Sequence, residues 1–158
     1  MKKIELKSMA EYFGKFLPAG HIKDRETRIA IVRLYGSLAK ANMDVINEIE
    51  SIRTGLVGDK QDDVNKYAAL IQKSFNKDLA EEERKKAREE AEAMTECVRI
   101  DKDYSEAVTR VYNEDIEPDL KKVSLEVLYE ALSDCGFPRF SPEMTIADVA
   151  ETFKDVIE

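Results

Sequence analysis

DRETRIAIVRLYGSLAKANMDVINEIESIRTGL, residues 24–56, is the stretch that decides the fold. Asp24 reads as an N-cap, a side-chain oxygen placed to accept from a first-turn N–H, with Thr27 where a capping box would carry an acid. Nothing beyond it interrupts a helix except a tolerable Gly36. At ~1.5 Å per residue this helix is roughly 45–50 Å long. Two apolar stripes run along it. One is Ile31, Leu34, Leu38, Val45, Ile49, Ile52 and Leu56; the other is Ile29, Val32, Tyr35, Ala39, Met43 and Ile46. A helix buried on one side needs one stripe of i, i+3, i+4 spacing. Two stripes predict a central helix covered from two directions.

Working outward to the N-terminus, KIEL (3–6) reads as a short strand or an extended arm. Ser8 is expected to cap a short amphipathic helix carrying Met9, Tyr12, Phe13, Phe16 and Leu17, which Pro18 and Gly20 end. Toward the C-terminus, VGDKQDD (57–63) is a turn, followed by a helix with Val64, Tyr67, Ala68, Leu70, Ile71 and Phe75. Residues 79–97 predict a charged helix with the i, i+4 pairs Glu81–Lys85, Glu82–Lys86 and Arg88–Glu92. Its thin stripe of Ala80, Ala87, Ala91, Met94 and Val98 fits either a solvated outer helix or a seam for close approach of another helix, in this chain or another. YNEDIEPDL (112–120), acidic and carrying Pro118, reads as a linker or a helix start, and Ser124 caps a helix that Gly136 stops. Thr145 with Asp148 frames a last helix, with Ile146, Val149 and Phe153 on its apolar side. The expectation is an all-α bundle of five to seven helices with at most a two-stranded patch. It forms a single helical domain over 1–158, with 138–158 an appended C-terminal helix.

Composition narrows the class. The chain has 158 residues, of which 43% are apolar and 37% charged, too apolar for a disordered chain. Net charge is −8, unevenly spread. Residues 1–58 carry ten Lys/Arg against seven Asp/Glu, a net +3, while 59–158 carry 15 against 26, a net −11. An acidic chain repels phosphate backbones, so no nucleic-acid partner is expected. No apolar run reaches the ~18–20 residues that span a bilayer, and MKKIELKSMAEYFGKF lacks the apolar region of a signal peptide. No membrane association and a cytoplasmic location follow as expectations. The distant Cys97 and Cys135 read as free thiols of a reducing compartment.

RIDKDYSEAVTRVY (99–112) is where chemistry would first be sought, because Asp101, Asp103 and Ser105 alternate as calcium-loop oxygens do. A loop starting at Asp101 would have Glu106 at its sixth position in place of glycine, and Tyr112 at its twelfth in place of a bidentate Glu. The expectation is therefore a junction with no calcium: VRI as a short β-prone segment, Asp103 as an N-cap, and Glu106 closing a capping box. His21 stands alone, without partners for zinc or for a di-iron bundle site, and reads as a loop residue. No phosphate loop, nucleophile elbow or Cys–His pair is present. No catalytic, cofactor-binding or metal-ligating residue is assigned, no cofactor is expected, and the partner-binding residues stay unknown. The basic cluster Lys23, Arg25, Arg28 and Arg33 opens the long helix, where cations oppose the helix dipole. Pairing with acids of the C-terminal part, or contact with an acidic partner, would answer that.

The order of features, with IELK, AGHIKDRETR, VRID and LYEALSD in turn, resembles a family of small bacteriophage proteins of unknown function, usually encoded among tail and lysis genes. The resemblance covers roughly residues 1–135 and rests on Gly20, Arg25, Arg28 and the Tyr129–Asp134 segment; residues 138–158 are an addition to the pattern. It implies a phage or prophage origin and no known enzymatic activity. The reading that follows is a non-enzymatic helical protein-interaction module that binds another protein or itself. The alternative is a small helical enzyme or ligand carrier with a pocket between helices, for which Tyr12, Tyr35, Tyr67 or Tyr129 would supply polar handles.

Overall fold

A computed structural model of the chain describes residues 1–158. It is all-α, with seven helices: α1 (Lys3–Phe16), α2 (Arg25–Val57), α3 (Gln61–Phe75), α4 (Glu81–Ala93), α5 (Thr95–Asn113), α6 (Leu125–Asp134) and α7 (Ile146–Thr152). A 3-10 turn, Ala19–His21, lies between α1 and α2. Extended pairing is limited to two isolated bridges, Lys2 with Asp115 and Val123 with Ile157. Where one domain is expected, the chain packs as two compact units, Met1–Ile46 with Tyr112–Glu158, and Asn47–Val111.

In the first unit, α1 begins earlier than its sequence suggests. KIEL is neither strand nor arm: the helix starts at Lys3, and the Lys2 N–H donates to the Glu5 carboxylate at 2.6 Å. Ser8 lies inside the helix and donates to the Ile4 carbonyl at 2.9 Å. Leu6, Ala10, Phe13 and Leu17 are all buried, so the helical spacing reaches back past the β-branched Ile4 and overrides its local preference. Gly14 lets α2 come close, because a Cβ there would stand 3.0 Å from the Tyr35 hydroxyl.

Asp24 caps α2 as expected, its carboxylate accepting from the Thr27 N–H at 2.8 Å. Ile31, Leu34, Leu38 and Val45 are buried, which is the inner stripe. The expectation that the second stripe is covered as well fails: Ile29, Val32, Tyr35, Met43 and Ile46 all stand exposed. α1, α6 and α7 supply the rest of this unit's core through Leu6, Phe13, Leu128, Leu132 and Val149. Ser124 caps α6 by accepting from the Val127 N–H, and Gly136 ends the segment at φ 73°, a conformation glycine adopts without strain.

Residues 138–158 are integral to this unit and not an appendage. Thr145 and Asp148 form the expected capping box of α7. Phe153 then meets Tyr12 at 5.5 Å, Phe13 at 6.1 Å and Phe140 at 6.2 Å between ring centroids. The Tyr12 hydroxyl donates to the Pro138 carbonyl at 2.9 Å, and the Glu158 N–H donates to the Val123 carbonyl at 3.0 Å.

The second unit holds the end of α2, then α3, α4 and most of α5. α4 packs against α3 with Ala87 and Ala91 buried, so the alanine seam is used within this chain. The helix expected over 79–97 breaks at Met94, whose ψ of 65° leaves the helical region. Residues 95–113 are one helix, which corrects the junction expected at 99–112: VRI is helical and Asp103 caps nothing. Cys97, Ile100 and Val111 are buried at helical spacing, and that burial outweighs the β-propensity of a three-residue run. Val98 and Ile146, both expected on apolar faces, are exposed.

Candidate functional site

Two features stand out after the helices have packed, the row of apolar residues Ile29–Ile46 in the first unit and a cleft in the second. The first is the outer face of α2, where Ile29 is 39% exposed, Val32 50%, Tyr35 40%, Met43 53% and Ile46 43%. Large exposed apolar residues scattered singly are ordinary, whereas these follow one another along one helix face. Two residues of the basic cluster at the start of α2, Lys23 and Arg28, are engaged inside the unit. The Arg28 guanidinium donates to the Ile22 carbonyl at 2.7 and 3.0 Å, holding the loop before the helix. Asp134 accepts from the Lys23 N–H at 2.8 Å and pairs with its ammonium at 3.0 Å. The Thr27 hydroxyl donates to Glu130 at 2.8 Å. Of the four basic residues only Lys23 meets an acid of the C-terminal part; Arg28 is engaged by backbone carbonyls, and Arg25 and Arg33 stand exposed.

These anchors bring a pH dependence. Backbone and ammonium donors of Lys23 hold the Asp134 carboxyl below its ordinary value, and Thr27 and Thr145 do the same for Asp24 and Asp148. A depressed folded pKa means that the unfolded chain binds more protons as the carboxylates titrate. The stabilisation is full above the ordinary carboxylate pKa and is lost as pH falls through the lowered folded values. Asp134→Asn is expected to flatten the acid limb of the melting temperature against pH. An unaltered slope would contradict this.

The second feature is a cleft of about 360 Å³ in the other unit, between the end of α2, α3 and α5. Leu56, Val57, Val64, Ile71 and Ile100 make it mainly apolar, while Arg53, Gln72, Asp101 and Tyr104 border it. The Tyr67 phenol is pushed up by burial and then by its hydrogen-bonded neighbour Asp101. Cys97 also lines the cleft, and burial raises its thiol, with Asp63 and Glu96 adding to the shift. Both groups are thus protonated at neutral pH, and a neutral buried thiol is a poor nucleophile.

The residues singled out in the sequence lie apart in this fold: His21 is exposed in the 3-10 turn, and Cys97 and Cys135 are free thiols in different units. Asp101, Asp103 and Ser105 sit on a continuous helix, where alternate residues diverge by about 200° and do not line a loop. Of the four tyrosines offered as handles, Tyr67 reaches the cleft; Tyr12 binds a carbonyl, Tyr35 lies over Gly14 and Tyr129 stacks edge-on with Phe137 at 5.5 Å. Sequence reasoning missed Asp101, Tyr104 and Arg53 as cleft residues. Reading 97–111 at helical spacing would have put Cys97, Ile100, Asp101 and Tyr104 on one side.

Fold and site define an all-α protein with an uncovered helix face in one unit and a lined apolar cleft in the other. None of its helices is long and apolar enough to cross a membrane. The chain matches no family model, no curated protein and no solved structure.

Proposed function

We propose that the chain is a non-enzymatic helical protein-interaction module working through the outer face of α2. The observation that carries the reading is the row of exposed Ile29, Val32, Met43 and Ile46 on a helix whose inner stripe is already buried. Of the three features that suggest association in the sequence, the alanine seam of α4 and the last helix are both used within the chain, which leaves α2. Burying such a row against a protein partner removes apolar surface from water, the dominant favourable term in most associations. The resemblance of residues 1–135 to small phage proteins supports a phage or prophage origin and an assembly role within this proposal.

A photo-crosslinking amino acid in place of Met43, in the cell that makes the protein, should give a discrete higher-mass protein adduct. The same residue in place of Asp44, on the polar side, should give none. Absence of an adduct from position 43, or equal adducts from both, would contradict the reading.

The second reading, a carrier for a small ligand, is favoured by the Tyr67–Asp101 pair at the wall of an apolar cleft. Pockets of a few hundred Å³ with a few convergent polar groups are the usual form of such sites. The wild type is expected to bind the fluorescent probe anilinonaphthalene sulfonate, and Ala68→Trp, at the exposed lining of the cleft, should abolish that signal. Equal fluorescence in the two proteins would remove this reading.

A further inference from the structure

The order of residues along the outer face of α2 says which partner fits it. Spacings of three and four alternate through Ile29, Val32, Gly36, Ala39, Met43 and Ile46, with Tyr35 to one side, as in the seam of a coiled coil. That alternation is by itself symmetric about a point level with the middle of Ser37 and Leu38, and the residues it pairs are alike in kind. Ile29 and Ile46 are equidistant from that point, as are Val32 and Met43, and then Gly36 and Ala39. One step further out stand Arg25 and Glu50, again equidistant and both exposed. All these positions lie on the single helix α2.

We propose that the face is covered by a second copy of the chain, its α2 antiparallel about a two-fold axis through that point. This rests on the reading of the face as a protein contact and names its occupant. A two-fold pairing brings each residue opposite its symmetric counterpart, the isologous arrangement of most homodimers. Isoleucine meets isoleucine, valine meets methionine, and Arg25 meets Glu50 at both ends, which a parallel pairing would not achieve. Gly36 fits the assignment. Glycine inside a helix is destabilising, and a Cβ at Gly36 would meet nothing within 4 Å in this chain. Gly55 of the same helix has the same open surroundings, so the space alone does not single out Gly36; its place opposite Ala39 at the axis lets two helices approach to the short end of the usual 8–10 Å range.

Two charges oppose the pairing. Arg33 and Lys40, both exposed, flank the seam on one edge and would approach their counterparts across the axis. Glu50 also pairs with Arg53 in its own chain at 3.2 Å, an exposed contact that it would share. Solvent and salt screen such exposed charges, so they weaken the association without redirecting it.

The test uses the full chain with Cys97→Ala and Cys135→Ser. Mixing the Ile29→Cys and Ile46→Cys proteins and oxidising them should give the mixed disulfide, with little from either alone. A dominant disulfide of Ile29→Cys with itself would mean a parallel pairing and would overturn the proposal. A charge exchange with both native cysteines in place guards against a variant that fails to fold. Arg25→Glu alone is expected to weaken association about tenfold, and adding Glu50→Arg should restore it. No recovery in the double variant would overturn the antiparallel register. Native mass at one chain throughout, combined with a Met43 adduct to a different protein, would overturn the second copy and leave the wider reading standing; absence of any adduct would end both.

Discussion

Phe153→Ala is expected to lower the unfolding free energy of its unit by about 3–5 kcal/mol, measured by urea denaturation. Phe153 is buried and its ring meets those of Tyr12, Phe13 and Phe140, so truncation loses a large apolar surface and leaves a cavity among three aromatic neighbours. Val149 and Val156, on either side of it, are fully buried as well. Were the last helix merely appended, the loss would be under about 1 kcal/mol and the main transition would not move. That outcome would contradict the integration of residues 138–158.

A second large effect separates the two sides of α2. Leu34→Ala should cost about 2–5 kcal/mol, because Leu34 is fully buried in the core of the first unit. Val32→Ala, two residues earlier on the exposed side, should stay within about 0.5 kcal/mol in the isolated chain. Measured at low protein concentration, the contrast reports burial within one chain. A comparable loss at both positions would mean that the second stripe is covered internally, and the functional reading would fall with it.

The features legible in the sequence are those set by local chemistry. Asp24, Ser124 and Thr145 are short polar side chains before apolar periodic runs, and each caps the helix expected of it, with Asp148 inside α7 closing the capping box. Gly136 ends α6 because its positive φ suits glycine. Errors arise where a few β-branched residues compete with a longer burial pattern. KIEL and VRI look extended in isolation, but Leu6 and Ile100 belong to helical rows of buried residues that reach well beyond each motif. The covering of a stripe is a tertiary matter. Ile29 and Ile31 are equally apolar, and only the packed unit distinguishes the exposed one from the buried one. For the same reason the cleft was not legible: Arg53, Tyr67 and Asp101 come from three helices, and no spacing in the chain links them.

Sedimentation equilibrium of the untagged chain over a concentration series, with Val32→Glu beside it, bears most directly on the role given to α2. The wild type should rise from 18.0 kDa toward twice that mass, while the variant stays at 18.0 kDa with unchanged helical content. A wild type that remains at 18.0 kDa at every concentration would contradict a second copy on the Ile29–Ile46 face.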